Sequence, residues 1–290
     1  LKRKVCWSLL ATLLALAAVS CGEAASEEDT LRVGLIPNQS PEKVEAQYRP
    51  LEDYLSEELG REVEVSVPTT YSAVVEAMIS EELDLAYFGG LTYVQARQRA
   101  NVEPLVTEIN PRTGTTKYRS FIIVPAESEI RRLEQLRGKT FAFGSVSSTS
   151  GSLYPAIMLK EAGIDYRTDL EQKIYTGGHD ATAWAVANGR VDAGGVEGRI
   201  LYDMQEEGVI ERGAVRIIAR SGPIEGYPWV ARGSLPEEDK EALARAYLQM
   251  DDLRLLDLMR AEGYERVEAS DYDYVERQAR RLGLLAEPEE

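Results

Sequence analysis

The chain has 290 residues, and 49 acidic against 33 basic side chains leave a net charge of −16, which argues against nucleic acid or an anionic membrane surface as its main partner. Its two cysteines, Cys6 and Cys21, both lie near the N-terminus, so the body of the chain has no disulfide framework or thiolate metal site, and a single histidine excludes a histidine cluster for a metal. An apolar share of 44% is enough for two domains of roughly 100 to 150 residues each.

Lys2, Arg3 and Lys4 precede an apolar run over residues 5–19 that is too short and too early for a finished membrane span, which is the pattern of a signal peptide. The run ends in Ala18, Val19, Ser20, Cys21 and Gly22, small residues before a cysteine that resemble a bacterial lipobox. Residues 1–21 are therefore expected to be a lipoprotein signal, with Cys21 lipidated. Ordinary cleavage near Ala24 or Ala25 is the alternative, and both export the chain. Cleavage removes three cations and no carboxylate, so the mature chain is more acidic still. Residues 22–30, rich in Ser, Glu and Asp, read as a flexible tether.

Residues 31–36 form a short apolar run stopped by Pro37, and helical spacing of Tyr48, Leu51, Leu55 and Leu59 predicts a helix that stops at Gly60. Alternation predicts a strand over 63–67, helical spacing returns over 71–79, and a strand over 83–88 follows. A helix over 91–100 and a strand over 102–108 continue the series. This βαβα alternation implies a mostly parallel sheet with helices on both faces. Residues 110–117 are polar and turn-rich, and the extended run 118–125 is a crossover into a second series. There, strands are expected at 141–143, 173–175, 191–196 and 215–219, with helices at 152–162 and 180–188. Residues 227–232 form a second crossover, and amphipathic helices over 237–258 and 272–282 should pack back on the first unit. Two crossovers and a returning tail give two α/β lobes with a cleft between them, a usual place for a ligand.

The most informative segment runs from Gly144 to Gly151 and supplies five hydroxyls between a strand and a helix. Hydroxyls and free amides at a helix N-terminus suit an anion, because the first-turn amides lack intrahelical partners and the helix dipole is positive there. Pro155 places the helix start near residues 150–152. The alternative is a loop whose serines only cap the helix. No Gly-Lys-Ser/Thr follows, so this is not a nucleotide P-loop.

Ser148, Thr149, Ser150 and Gly151, followed by Gly178, His179 and Asp180, resemble the paired signature of the phosphate/phosphite/phosphonate-binding proteins of ABC importers. Thr70 to Met78, Asp84 to Gly89 with Tyr93, and Leu136 to Phe141 are similar to that family in order and spacing. The resemblance implies a two-lobed type II periplasmic-binding-protein fold, two α/β domains joined by a two-strand hinge. Lobe I would hold residues 31–117 and 229–290, and lobe II residues 118–228. It also implies a monomeric, exported binding protein, not an enzyme and without a cofactor, that hands a small oxyanion to an ABC permease and its ATPase and touches the membrane through a lipid anchor only. By position, Ser148, Thr149, Ser150 and His179 would bind the anion, with Tyr71 and Tyr93 facing them from the first lobe. The chemistry agrees: a tetrahedral anion needs converging N–H and O–H donors, each worth about 1.5–3 kcal/mol toward a charged acceptor.

Family members that take aminoalkylphosphonates use carboxylates for the ligand's ammonium, and Glu197, Glu225 and Asp180 are the candidates here. Tyr227 stands where some amine-binding members carry an aspartate, which favours a ligand without an amine. Three alternatives remain at this level. The same fold could serve selenate, sulfate or sulfonate, or a sensor partner. A serine hydrolase could be built from Ser150, His179 and Asp180, although no Gly-x-Ser-x-Gly elbow is present. An all-carboxylate calcium site also stays open.

Overall fold

The computed structural model describes residues 30–285, so the expected signal, Cys21, nearly all of the tether and the acidic C-terminal end lie outside the described residues. The chain begins with β1 (Leu31–Leu35), α1 (Pro41–Leu59), β2 (Val63–Ser66), α2 (Tyr71–Ile79), β3 (Leu85–Tyr87), α3 (Gly90–Arg97) and β4 (Val102–Ile109). It passes through β5 (Lys117–Tyr118) into β6 (Ser120–Pro125), β7 (Thr140–Phe143), α4 (Tyr154–Glu161), β8 (Gln172–Tyr175) and α5 (His179–Ala187). Next come β9 (Ala193–Glu197), α6 (Gly198–Glu206) and β10 (Val215–Arg220). It returns through β11 (Ile224–Glu225) to β12 (Pro228–Arg232), α7 (Glu237–Leu248), α8 (Leu253–Leu258), β13 (Gly263–Arg266) and α9 (Asp273–Arg281).

The strands form a six-stranded sheet in the order β13-β4-β12-β3-β1-β2 and a five-stranded sheet in the order β10-β6-β9-β7-β8. Where the chain leaves and re-enters the first sheet, β5 and β11 pair antiparallel with Tyr118 opposite Ile224. Both large sheets are mixed, not mostly parallel. Parallel pairing is confined to β1 with β2 and β3, and to β7 with β8 and β9, while β6 and β12 join their sheets antiparallel just after the two crossings.

Other boundaries moved for local reasons. Helix α1 starts at Pro41, well before the apolar spacing begins, because Ser40 Oγ accepts the Lys43 amide and proline suits the first helical position. The single helix expected over 237–258 is two: α7 ends at Leu248, and Asp252 starts α8 by accepting the amides of Arg254 and Leu255. Strand β13 escaped prediction because its Gly-Tyr-Glu-Arg sequence buries only Tyr264. Helix α6 was also unforeseen.

The first sheet is packed with aromatics. Trp229 is fully buried among Tyr48, Tyr87 and Tyr247, with ring centroids 6.2, 4.9 and 4.8 Å away. Tyr87 stacks in turn on Tyr227 at 5.3 Å, so this core runs directly into the cleft side of the sheet. Among the described residues no helix is long and apolar enough to cross a membrane.

Candidate ligand-binding site

Ligands of open α/β sheets sit beyond the carboxyl ends of parallel strands, and here that position is filled from both sheets. The segments following β1, β3, β7, β8 and β9 meet there and carry the N-termini of α3, α4, α5 and α6. Among the bonds that tie the two halves together are the Leu91 amide to Thr149 Oγ1 at 2.9 Å, the Ser40 amide to Asp180 Oδ2 at 2.9 Å, and the His179 amide to the Asn38 carbonyl at 2.9 Å. Converging helix N-termini concentrate partial positive charge without any lysine or arginine.

The 144–151 loop enters its helix through one wide turn, Thr149–Leu153, in which the Leu153 amide reaches back to the Ser148 carbonyl at 3.0 Å. The widening has a cause in the sequence. Pro155 has no N–H to offer, and the carbonyls of Ser150 and Gly151 are taken by Ser120 Oγ (2.6 Å) and the Gly144 amide (2.9 Å). The hydroxyls of Ser148, Thr149 and Ser150 have different duties. Ser148 Oγ caps the turn by accepting the Gly151 amide at 3.0 Å, Thr149 Oγ1 accepts across the cleft, and Ser150 Oγ is buried with no partner. Gly151 has to be glycine, since a Cβ would stand 2.9 Å from Ser148 Oγ and 3.0 Å from His179 Cε1.

His179 opens α5 and is buried. Its Nδ1 accepts the Glu197 amide at 3.2 Å, which leaves the ring proton on Nε2, and Nε2 is buried without a partner. Burial pushes its pKa below the ordinary 6.5, against the opposing pull of Glu197 and Asp180. The sign of the pH effect follows. The folded ring resists protonation more than the unfolded one, so its contribution to stability is full above 6.5 and is lost as pH falls from there through the lowered folded value. Between about pH 7.5 and about pH 5 the ligand-free protein should lose more stability than His179→Asn, as read by denaturant unfolding. Equal losses would contradict this protonation state.

Glu197, expected as readily on a surface turn, is buried. One carboxylate oxygen is bonded by Arg199 Nε and the other accepts the Tyr227 hydroxyl at 2.7 Å. Arg199 Nη1 also reaches Glu108 Oε1 at 2.8 Å, and its guanidinium lies 5.1 and 5.3 Å from the ring centres of Tyr118 and Tyr227. The two carboxylates share one cation but differ. Burial raises both; at Glu108 it wins over Arg199, whereas at Glu197 the combined pull of Arg199, His179 and the Tyr227 bond brings the carboxyl below its usual value.

Two residues overlooked in the sequence belong to the same group. The Tyr118 hydroxyl, at the start of the crossover, is buried and unpartnered, as are both polar atoms of the Gln39 side chain. Gln39 sits beside Gly178, where an added Cβ would come within 3.4 Å of the Gln39 Cα. The signals that could have found them are positional: Gln39 follows the carboxyl end of β1, and Tyr118 is the residue at which the chain crosses between sheets. Tyr71 is the first residue of α2 and is buried. Its phenol is pushed far up by burial first and the Glu197 charge second, with the Ser148 side chain opposing.

Tyr93 is not brought to this group. Its ring packs edge-on to Tyr272 at 5.0 Å and under Arg97 at 5.4 Å. Glu225 is paired with Lys117 on the β5–β11 ribbon, and Asp180 spends its oxygens on the amides of Ser40 and Ala181. A hydrolytic triad needs a carboxylate accepting from Nδ1–H; here Nδ1 is itself an acceptor, so Ser150, His179 and Asp180 do not form one. Among the described residues no group of three or more His, Cys, Asp or Glu side chains is placed to hold a metal ion.

A family model described as the periplasmic substrate-binding protein of the phosphonate ABC transporter matches residues 33–272. The chain is 32% identical over 230 residues to the phosphate-import protein PhnD of Mycolicibacterium smegmatis, covering 76% of this chain and 72% of that one. It is 28% identical over 276 residues to the probable ABC transporter phosphite binding protein PhnD1 of Prochlorococcus marinus, covering 90% and 92%. The solved structure of that PhnD1 in complex with methylphosphonate superposes with a TM-score of 0.78 at 27% identity, over 88% of this chain and 98% of that one.

Proposed function

The chain belongs to the periplasmic substrate-binding protein family of ABC phosphonate transporters, and from that premise we propose that its cleft closes over one small tetrahedral oxyanion of the phosphonate, phosphite or phosphate class. The observation that carries the reading is that four of the side chains with buried, unpartnered polar atoms belong to this one group: Ser150 (Oγ), Tyr118 (OH), His179 (Nε2) and Gln39 (amide). Leaving such a group unpaired costs about 1–3 kcal/mol each, and an anion with three or four oxygens would satisfy several at once. Ser148, Thr149 and Tyr71 complete the wall, and Glu197 and Tyr227 close its far side. Thr149 acts mainly by holding the two sheets together once closed.

In this reading residues 31–117 and 229–290 form one lobe and residues 118–228 the other, hinged at the β5–β11 ribbon. The ligand docks on the 148–150 loop and His179, and closure brings in Gln39 and Tyr71 and excludes water. The closed complex is what a membrane permease and its ATPase would receive. Export and lipid attachment at Cys21 would keep the protein at the outer face of the cell membrane.

Thermal shifts of the protein lacking residues 1–21, with phosphite, methylphosphonate, aminoethylphosphonate, phosphate and sulfate, test this. Ligand at about 100 times its Kd adds about 2.7 kcal/mol, a rise of about 5–10 °C for a protein of this size. No shift with any phosphorus anion would defeat the proposal. A narrower prediction separates two tyrosines: Tyr118→Phe should weaken binding about tenfold or more by removing one donor, whereas Tyr93→Phe should leave affinity unchanged. Titration calorimetry giving the reverse order would restore Tyr93 to the site.

A further inference from the structure

A third charged group stands directly behind the proposed anion site. The residues with carboxylates that are buried among those described are Asp84, Glu108 and Glu197, and Glu225 has a side chain only 7% exposed; Asp84 is held by Arg32 and Arg232 at the opposite end of its strand, and Glu225 by Lys117. Glu108 and Glu197 are both committed to Arg199, and the second oxygen of Glu197 is committed to Tyr227. Arg199 is itself 8% exposed and lies over the adjacent rings of Tyr118 and Tyr227, whose centres are 5.2 Å apart. On its outer side it lines a cavity of about 640 Å³ between α1, α6 and α8. The guanidinium therefore separates the enclosed donors from that open cavity.

We propose that Arg199 determines ligand specificity: it is a resident cation that occupies the carboxylates a ligand ammonium would need, and so excludes aminoalkyl oxyanions while admitting those with a hydrogen, hydroxyl or small alkyl substituent. The proposal rests on the oxyanion reading of the site. An ammonium carried into a desolvated cleft must find a carboxylate partner. Here both partners are already taken, and the incoming charge would instead meet a like charge where screening is weak. A lysine in this place could shed its proton to relieve the conflict. Arginine cannot, and its planar fork matches two carboxylates at once. Tyr227 reinforces the exclusion by fixing Glu197 toward Arg199, which gives a physical role to the tyrosine singled out in the sequence.

Calorimetric titration with methylphosphonate and 2-aminoethylphosphonate tests it on the wild type, Arg199→Met, and the double variant Arg199→Met/Glu108→Gln. The double variant removes the cation together with one carboxylate, so it guards against misfolding from two unpaired buried charges and leaves Glu197 free. The wild type should prefer methylphosphonate by about 100-fold or more, and the preference should shrink about tenfold or more in the variants. Adding Glu197→Gln to the double variant should restore the preference, an effect that loose packing alone would not produce. Equal affinities in the wild type, or an unchanged ratio in the folded double variant, would overturn the assignment. A wild type that binds neither phosphonate would overturn the assignment, and the oxyanion reading falls with it only where phosphite and phosphate also fail to bind.

Discussion

Replacing His179 with alanine is expected to weaken oxyanion binding about 10- to 150-fold, the equivalent of losing one hydrogen bond of about 1.5–3 kcal/mol to a charged acceptor. The loss follows from the ring's two faces. Nδ1 is occupied by the Glu197 amide and fixes the ring, while Nε2 is buried with nothing to bond. Alanine also strands that amide, so a fall in stability will accompany the fall in affinity. Ser150→Ala separates the two effects, because the Ser150 hydroxyl makes no well-formed hydrogen bond within the protein, its influence on the Tyr118 phenol aside. Its removal should leave the ligand-free protein as stable as before, or more so, while still lowering affinity. Calorimetric affinities within twofold of wild type for both variants would remove these residues from the site.

Trp229→Ala should cost about 3–5 kcal/mol of stability, the range for emptying a fully buried large aromatic. At about 2–4 °C per kcal/mol the melting temperature would drop by about 6–20 °C. Tyr48, Tyr87 and Tyr247 all lean on the indole, and planar rings held by an aromatic core and a sheet have little freedom to collapse into the space. The damage should also reach the cleft, since Tyr87 stacks on Tyr227, whose hydroxyl holds Glu197. Weaker ligand binding is therefore expected even where the variant remains folded. Trp229→Phe, which keeps a ring in place, should show a smaller effect on both measures. A melting change under about 2 °C for the alanine variant would mean that the aromatic cluster does not support the sheet.

Much of the architecture could be read from period and punctuation. Tyr71 to Ile79 became a helix with the expected bounds, and Gly60 ended α1 in a left-handed conformation with φ of 64°. Elements that lacked an apolar rhythm were missed: the polar first turns of α1, the strand Gly263–Arg266, and helix α6, whose start at Gly198 follows a glycine-rich strand. The two strand glycines, Gly194 and Gly195, have a packing reason, since a Cβ on Gly194 would stand 2.8 Å from Thr182 Cγ2 and one on Gly195 would clash with Pro155 and lie 2.9 Å from the Gly151 carbonyl. The candidate site was half legible. Local signals pointed to Ser148, Ser150 and His179 because each sits at a helix start within its own sheet. Tyr118, Gln39 and the Glu108–Arg199–Glu197 cluster are assembled from segments that lie between residues 39 and 199 of the chain, and no spacing rule reaches across the cleft. Tyr93 is the converse case, a tyrosine in the same stretch of sequence whose ring packs α3 against Tyr272, the residue before α9.

The most direct test is a crystal structure of the protein grown with methylphosphonate. The account predicts one phosphonate enclosed between the two sheets, with its oxygens about 2.7–3.2 Å from Ser150 Oγ, Tyr118 OH and His179 Nε2 and its methyl group directed toward the rings of Tyr118 and Tyr227. A phosphonate bound instead in the open cavity beside Lys43 and Arg112, with those three donors still unpartnered, would contradict it.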